Sequence, residues 1–187
     1  PDDSYHGITY AEHFGKEGAF ITKATAQLMR DFGCVQSPIN AYMLNLGLES
    51  LHVRMARHCE NGQAVAEFLA SHPKIAYVNY CGLPGDKYHA VAEKYLPNGS
   101  CGVVSFGVKG GREAAAAFMG HLKIAAIETH VADARTCCLH PASSTHRQMN
   151  DEQLIAAGVQ PDLVRMSCGL EDKNDLIHDI AQALDQI

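Results

Sequence analysis

No apolar run in this chain approaches the roughly 18 residues needed to span a bilayer, and the polar segment opening at Pro1 has none of the charged, apolar and small-residue zones of a signal peptide. Lysine and arginine never gather into a stripe that could follow a phosphate backbone. Fifteen basic residues stand against twenty-one acidic ones, for a net charge of −6, which argues against nucleic acid as a partner. There is no disulfide framework either. The seven cysteines, Cys34, Cys59, Cys81, Cys101, Cys137, Cys138 and Cys168, are odd in number and scattered. Most stand among apolar neighbours such as Val35, Val103 and Leu139, as reduced core residues of a cytosolic protein do. Internal repeats and low-complexity tracts are missing, and glycine clusters only in short turns, Gly82-Leu83-Pro84-Gly85 and Gly110-Gly111. These absences leave a soluble, cytoplasmic chain of 187 residues, long enough to bury one real core. Its first residue, Pro1 in place of Met, gives the expectation of a piece of a longer protein.

Periodicity supplies the organisation. Residues 1–19 are polar and aromatic without a clear period, after which Ile21, Ala24, Leu28 and Met29 mark a short helix that stops at Gly33. Ser37-Pro38 reads as a helix start, with Ser at the N-cap and Pro at the first helical position, where its missing N–H is harmless. Gly47 is expected to interrupt that helix. Leu48, Leu51, Met55, Gly62, Ala66 and Leu69 then recur at spacings of three, four and seven until His72-Pro73 forces an exit. Beyond residue 72 the pattern changes to strands near 75–78, 102–107, 125–128, 137–139 and 163–168, alternating with helices over 112–122 and 151–157. Asn150-Asp151-Glu152-Gln153 has the chemistry of a capping box, and Gly158 can supply the left-handed stop. Leu176, Ile177, Ile180, Ala181 and Leu184 share one face of a last helix. The class is α/β (α+β), with a helical segment over 1–72 and an α/β domain over 73–187.

Two places could carry chemistry. In the strand 163–168 side chains alternate, so Arg165 shares a face with Leu163 and Ser167 while Val164, Met166 and Cys168 take the other. An arginine in so apolar a strand needs an anion, because desolvating an unpaired guanidinium is expensive, and its planar fork suits an amino-acid carboxylate. A head that reaches solvent, or that pairs with a nearby Asp or Glu, is the plainer alternative. The stretch from Asp133 to His146 gathers hydroxyls, imidazoles and thiols between a strand and a helix. No Cys–His nucleophile or zinc site is read from it, because Cys137 and Cys138 face opposite ways and His140 and His146 lack metal spacing. Lys23 superficially matches a Schiff-base setting in Ile21-Thr22-Lys23-Ala24, but it lies between apolar helix positions and reads as a solvated lysine. Gly107-Val108-Lys109-Gly110-Gly111 lacks both the P-loop and the dinucleotide spacing and reads as a turn.

Taken in order, Gly47-Leu48-Glu49-Ser50-Leu51-His52-Val53-Arg54-Met55-Ala56-Arg57-His58, Val78-Asn79-Tyr80-Cys81-Gly82-Leu83-Pro84 and Leu163-Val164-Arg165-Met166-Ser167-Cys168-Gly169-Leu170-Glu171-Asp172 resemble the cystathionine synthase and lyase family. Its members use pyridoxal phosphate in cysteine and methionine metabolism and have the aspartate-aminotransferase type of fold. The resemblance runs over nearly the whole chain. Tyr5-His6-Gly7-Ile8-Thr9-Tyr10-Ala11-Glu12-His13-Phe14-Gly15, Ser105-Phe106-Gly107-Val108-Lys109-Gly110-Gly111 and His140-Pro141-Ala142-Ser143-Ser144-Thr145-His146 are similar to the O-acetylhomoserine sulfhydrylase branch. The resemblance implies the C-terminal small domain of that fold, a small, mostly antiparallel sheet with helices packed on it. The long helices of 1–72 would precede it and belong to the large-domain side.

For the site, the resemblance implies that Arg165 holds the α-carboxylate of the amino-acid substrate. Thr136 stands where the family usually has Ser, close to cofactor and substrate carboxylate. Cys137 replaces the usual Leu, and Ala132 stands where the branch often has Gly. The implied cofactor is pyridoxal 5'-phosphate. Its Schiff-base lysine and most of its contacts lie, in the family, in an N-terminal part whose motifs do not occur here. No catalytic, cofactor-binding or metal residue is therefore expected in these residues, and the chain alone is expected to be inactive. The implied reaction is γ-replacement: acetate leaves Cγ of O-acetylhomoserine and sulfide or a thiol adds, giving homocysteine or methionine. The implied partners are these small molecules and further copies of the chain, a tetramer in the intact family, with no nucleic acid and no membrane. Cystathionine γ-synthase, a γ-lyase such as methionine γ-lyase, and a stand-alone ligand-binding module are the alternatives.

Overall fold

In the computed structural model, which describes residues 1–187, the first helix starts well ahead of the apolar residues expected to open it. α1 (Tyr10–Thr22) runs through a π-helical stretch, Lys23–Met29, into α2 (Arg30–Phe32), and it stops at Gly33, whose φ of 67° makes the expected left-handed end. Residues 10–19 show no helical period because Gly15 takes φ 70° and ψ 163° inside the helix, so the apolar face changes at that kink. The Tyr10 hydroxyl donates to Gln27 at 2.7 Å and helps to close this element on itself. Lys23 pairs with Asp2 at 2.7 Å, and that bond holds the Asp2 carboxyl down at about 2.

α3 (Pro38–Glu49) begins at Ser37-Pro38, where the Ser37 hydroxyl accepts the Asn40 N–H at 3.2 Å. Gly47 remains inside it. A glycine weakens a helix by roughly 0.5–1 kcal/mol relative to alanine, which is too little to end it; the interruption falls at Ser50 instead, with φ −105° and ψ 2°. Pro1–Glu49 form one compact unit and Ser50–Ile187 another.

The second unit runs α4 (Leu51–Ser71), β1 (Ile75–Asn79), α5 (His89–Tyr95), β2 (Val103–Val108), α6 (Gly111–His121), β3 (Ala126–Ile127), β4 (Cys137–Leu139), α7 (Asp151–Ala156), β5 (Leu163–Ser167) and α8 (Lys173–Asp185). Its sheet has the order β1-β2-β5-β4-β3 and is antiparallel at every junction except β3 with β4. This is the mostly antiparallel sheet of the expectation. α5 was not expected: only Ala92 is buried in it, so it carries no apolar stripe to read.

Strand parity builds the core. Val104, Phe106 and Val108 of β2 and Val164 and Met166 of β5 leave water completely on one face of the sheet. Val65, Ala66 and Leu69 of α4, Ala115 and Phe118 of α6, and Leu176, Ile180 and Leu184 of α8 cover them. Each large side chain buried in this way contributes about 1.5–3 kcal/mol. Phe118 meets Phe106 edge-on, with ring centroids 5.8 Å apart and planes at 80°. The boundary expected near residue 72 assigns α4 to the segment before the sheet. Here the second half of α4 is part of the sheet's own cover, and the chain divides after Glu49.

Polar groups fix the ends of the helices. Asp179 of α8 is buried and accepts the N–H groups of Lys123, Ile124 and Ala125 at 2.8, 2.8 and 3.2 Å, which locks the turn between α6 and β3. Lys74 donates to the Leu184 and Ile187 carbonyls at 2.7 and 2.5 Å, at the negative end of α8. The capping box of Asn150 and Gln153 starts α7, and Gly158, at φ 79°, follows its end.

Candidate carboxylate-binding site

Because Val164 and Met166 are drawn into the core, Arg165 must face the other side of the sheet. There it stands in one row with Ser105 of β2 and Leu139 of β4. Its side chain is half-buried and makes one hydrogen bond, Nη2 donating to the Thr129 carbonyl at 2.8 Å. No carboxylate pairs with it, and its Nε is buried without a partner. The alternative of an internal salt bridge is therefore not what this fold builds. A guanidinium held at one edge by a neutral carbonyl, with a donor unmet, is partly desolvated and lacks a counter-charge, which is the condition an anion relieves.

Thr136, just before β4, is fully buried. Its N–H and its hydroxyl both donate to the Glu171 carboxylate, at 2.7 and 2.8 Å, and the hydroxyl oxygen accepts the Gly169 N–H at 2.8 Å. From α4, Asn61 donates to the Gly169 and Glu171 carbonyls at 2.9 and 2.8 Å. The turn 169–171 is thus clamped between the segment before β4 and α4. Only glycine fits at 169, since a Cβ there would strike the Ala134 carbonyl oxygen, the Arg135 carbonyl carbon and the Glu171 carboxylate. The Thr136 hydroxyl is engaged within this clamp, and no hydrogen bond joins it to Arg165. Asn61 and Glu171 were not singled out from the sequence. The available signal was an asparagine beside Gly62 in the buried stripe of a helix.

At the β3–β4 edge, His130 Nδ1 lies 3.0 Å from Glu128 and 3.3 Å from Asp133, and Arg135 lies 3.3 and 3.6 Å from the same two carboxylates. The buried Cys137 thiol completes the group: donor atoms of Glu128, His130 and Cys137 all lie within 4.8 Å of one another. Burial, joined by the charges of Asp133 and Glu128, pushes the Cys137 thiol up. Ala132, between these residues, takes the left-handed φ of 59° that suits glycine.

Other sequence candidates have structural work. Lys109 donates to the Pro73 carbonyl at 2.7 Å, and a Cβ on Gly107 would strike Tyr77 and Asp162, so the lysine of this turn is engaged by a backbone carbonyl and its first glycine is packed against side chains. His140 is buried between the Ser143 hydroxyl at 2.9 Å and the Pro161 carbonyl at 2.8 Å. A cavity of about 600 Å³, lined by Cys59, Gln63, Tyr80, Cys81 and His89 among others, shares no residue with the surroundings of Arg165.

Residues 12–185 match the family of Cys/Met metabolism PLP-dependent enzymes. The chain belongs to that family. It is 45% identical to O-acetyl-L-homoserine sulfhydrylase of Leptospira meyeri, over 100% of this chain and 44% of that protein. It is 42% identical to homocysteine synthase of Schizosaccharomyces pombe, over 99% of this chain and 43% of that protein. The chain thus spans less than half the length of these relatives. Among solved structures, a Campylobacter jejuni protein assigned as O-acetylhomoserine (thiol)-lyase, carrying N'-pyridoxyl-lysine-5'-monophosphate, matches with a TM-score of 0.83 and 36% identity, over 99% of this chain and 44% of that one. The mixed α/β fold is accordingly that of part of a Cys/Met-metabolism enzyme.

Proposed function

We propose that the chain is the C-terminal part of a cytoplasmic, homo-oligomeric, pyridoxal-phosphate-dependent O-acetylhomoserine sulfhydrylase, in which Arg165 holds the α-carboxylate of O-acetylhomoserine. The observation that carries this reading is the half-satisfied guanidinium, with no internal carboxylate and a buried Nε left over, in a chain whose relatives bear that name. Arg165 offers the substrate's carboxylate a guanidinium without a counter-charge, whereas the turn after β2 is crowded by Tyr77 and Asp162 at Gly107 and offers the cofactor's phosphate no comparable cation. On this reading the cofactor and its lysine are held by protein outside these residues, the helical unit Pro1–Glu49 belongs to the large-domain side, and the isolated chain is inactive. Pyridoxal phosphate, when bound, supplies the electron sink for the loss of acetate from Cγ.

This chain's share is binding and orientation. The planar fork of Arg165 takes both carboxylate oxygens and fixes the amino-acid end of the substrate, which leaves the side chain to react. Thr136 serves the same pocket at one remove: by pinning the 169–171 turn it holds the C-terminal end of the strand that bears Arg165. In the intact enzyme, Arg165→Ala is expected to remove roughly 2–5 kcal/mol of transition-state stabilisation from homocysteine formation. Arg165→Lys should recover only part, because an ammonium cannot make the fork. Steady-state kinetics with O-acetylhomoserine and sulfide check both, and an unchanged kcat/KM in Arg165→Ala would remove the assignment. Release of homocysteine from O-acetylhomoserine, without cleavage of cystathionine or methionine, separates this reading from a γ-lyase.

A further inference from the structure

We propose that Glu128, His130 and Cys137 form a zinc-binding site at the edge of the sheet, with the buried thiol as its floor and the carboxylate and imidazole as its rim. The strands bring these residues together. Ala126 and Ile127 pair in parallel with Cys137 and Cys138, and the Glu128 N–H reaches the Cys138 carbonyl at 3.2 Å, so the end of β3 is carried past Cys137.

The donor set is the argument. One carboxylate oxygen, one imidazole nitrogen and one thiol lie within 4.8 Å of one another, and the first two are already 3.0 Å apart. A tetrahedral zinc ion with bonds of about 2.0–2.3 Å places its donors roughly 3.3–3.8 Å apart, a spacing that small side-chain rotations reach from here. Mixed nitrogen, oxygen and sulfur donors suit Zn²⁺ better than the all-oxygen cations. Three protein ligands leave a fourth position for water, or for Asp133, whose carboxylate is 3.3 Å from the same imidazole nitrogen. Cys137 is 1% exposed, whereas the His130 side chain is 58% exposed, so an ion has access from one side and meets a desolvated sulfur on the other.

The remaining contacts allow this. The Cys137 thiol donates to the Arg135 carbonyl at 3.5 Å, a weak bond that a metal displaces. The Arg135 guanidinium, which now neutralises Glu128 and Asp133, is 60% exposed and free to swing into solvent. On binding, the thiol proton leaves to solvent, and the proton that Nδ1 now presents to the Glu128 and Asp133 carboxylates is given up by way of solvent, so that the Nδ1 lone pair goes to the ion and the neutral imidazole keeps one proton, on Nε2. Thr129, between two of the ligands, carries the carbonyl that anchors Arg165, so a filled site also fixes that anchor. The zinc site does not itself rest on the carboxylate reading.

Calorimetric titration of the 187-residue chain with zinc chloride, and of the same protein with Co²⁺ as an absorbing probe, tests it. One ion per chain is expected, with a near-ultraviolet thiolate-to-cobalt band. His130→Ala and Cys137→Ser should each weaken zinc binding by about tenfold or more, and Cys137→Ser should abolish the band. His130 is exposed, so its variant keeps the fold and remains a valid test if Cys137→Ser does not fold. Cys59→Ser should leave both signals unchanged. The titration uses no amino-acid substrate and reads zinc alone, whereas the carboxylate assignment is read from the kinetics of Arg165→Ala, which separates a failure here from a failure of that assignment. No stoichiometric zinc, or zinc held as tightly by His130→Ala as by the unaltered chain, would overturn the proposal.

Discussion

A buried polar side chain acts through what is left of its bonding capacity. Arg165 keeps a donor without a partner, whereas the Thr136 hydroxyl both donates and accepts within the fold, which is why the first is assigned to a ligand and the second to the frame around it. Thr136→Val removes one hydroxyl from two hydrogen bonds and leaves the Gly169 N–H without its partner. It is expected to lower stability by about 1–3 kcal/mol, whereas Thr136→Ser, which keeps the hydroxyl, should lower it by much less; urea unfolding of both variants checks the difference. The thiols make a second residue-scale case. Burial pushes Cys168 from its ordinary 9.0 up to about 12, so the folded chain holds that proton more tightly than the unfolded chain does. The resulting stability is full below pH 9.0 and is lost as the pH rises toward 12. Unfolding measured across that window should show the decline. In the native state at neutral pH, a thiol reagent should reach the exposed Cys34 first and the buried Cys138 and Cys168 last. Equal labelling rates would contradict the burial.

At the scale of elements, Gly62 decides how close α4 comes to β2. A Cβ there would lie 2.5 Å from the Cys101 carbonyl oxygen and 3.1 Å from the Gly102 Cα, both backbone atoms with no rotamer to yield. Gly62→Ala should therefore destabilise by about 1–3 kcal/mol, even though alanine favours a helix by up to about 1 kcal/mol. A gain in unfolding free energy would show that the helix gives way instead. The same contest of signals explains what could be read in advance. Gly33, Ser37-Pro38, the Asn150–Gln153 box and the alternation around Arg165 each present one dominant local signal, and each element was legible. Residues 10–19 were not, because Gly15 breaks the period within a helix, and α5 has one buried residue and no stripe. Gly47 stays inside α3 because a single glycine costs a helix too little to end it. In the site, strand parity gave the side of the sheet on which Arg165 stands. Its Thr129 anchor, the Thr136–Glu171–Gly169 clamp and the Glu128–His130–Cys137 group come together through tertiary contacts around β3, β4 and β5, which residue spacing does not encode.

For the whole molecule, the two units differ in what they bury. Ser50–Ile187 encloses a continuous core that runs from α4 through the sheet to α8, and its protection from solvent should be that of an ordinary folded domain. In α3 no residue is buried; Ile39 is 70% exposed and Leu44 62%, with Tyr42, Met43 and Leu48 close to those values. Helices in water draw most of their stability from packing an apolar face, and contiguous exposed apolar residues on this scale mark a surface that binds something. Two courses are open to the 187-residue chain in solution: it associates through this helix, or it rearranges its first 49 residues. Sedimentation at rising concentration should give a rising average mass, and Met43→Glu with Leu44→Glu should abolish the rise. Hydrogen exchange should leave the amides of β2 and β5 protected in every case, because their ladder does not depend on α3. If the chain remains monomeric at all concentrations while α3 exchanges as slowly as β5, the helix has found its cover within the chain, and its exposed face no longer argues for a partner.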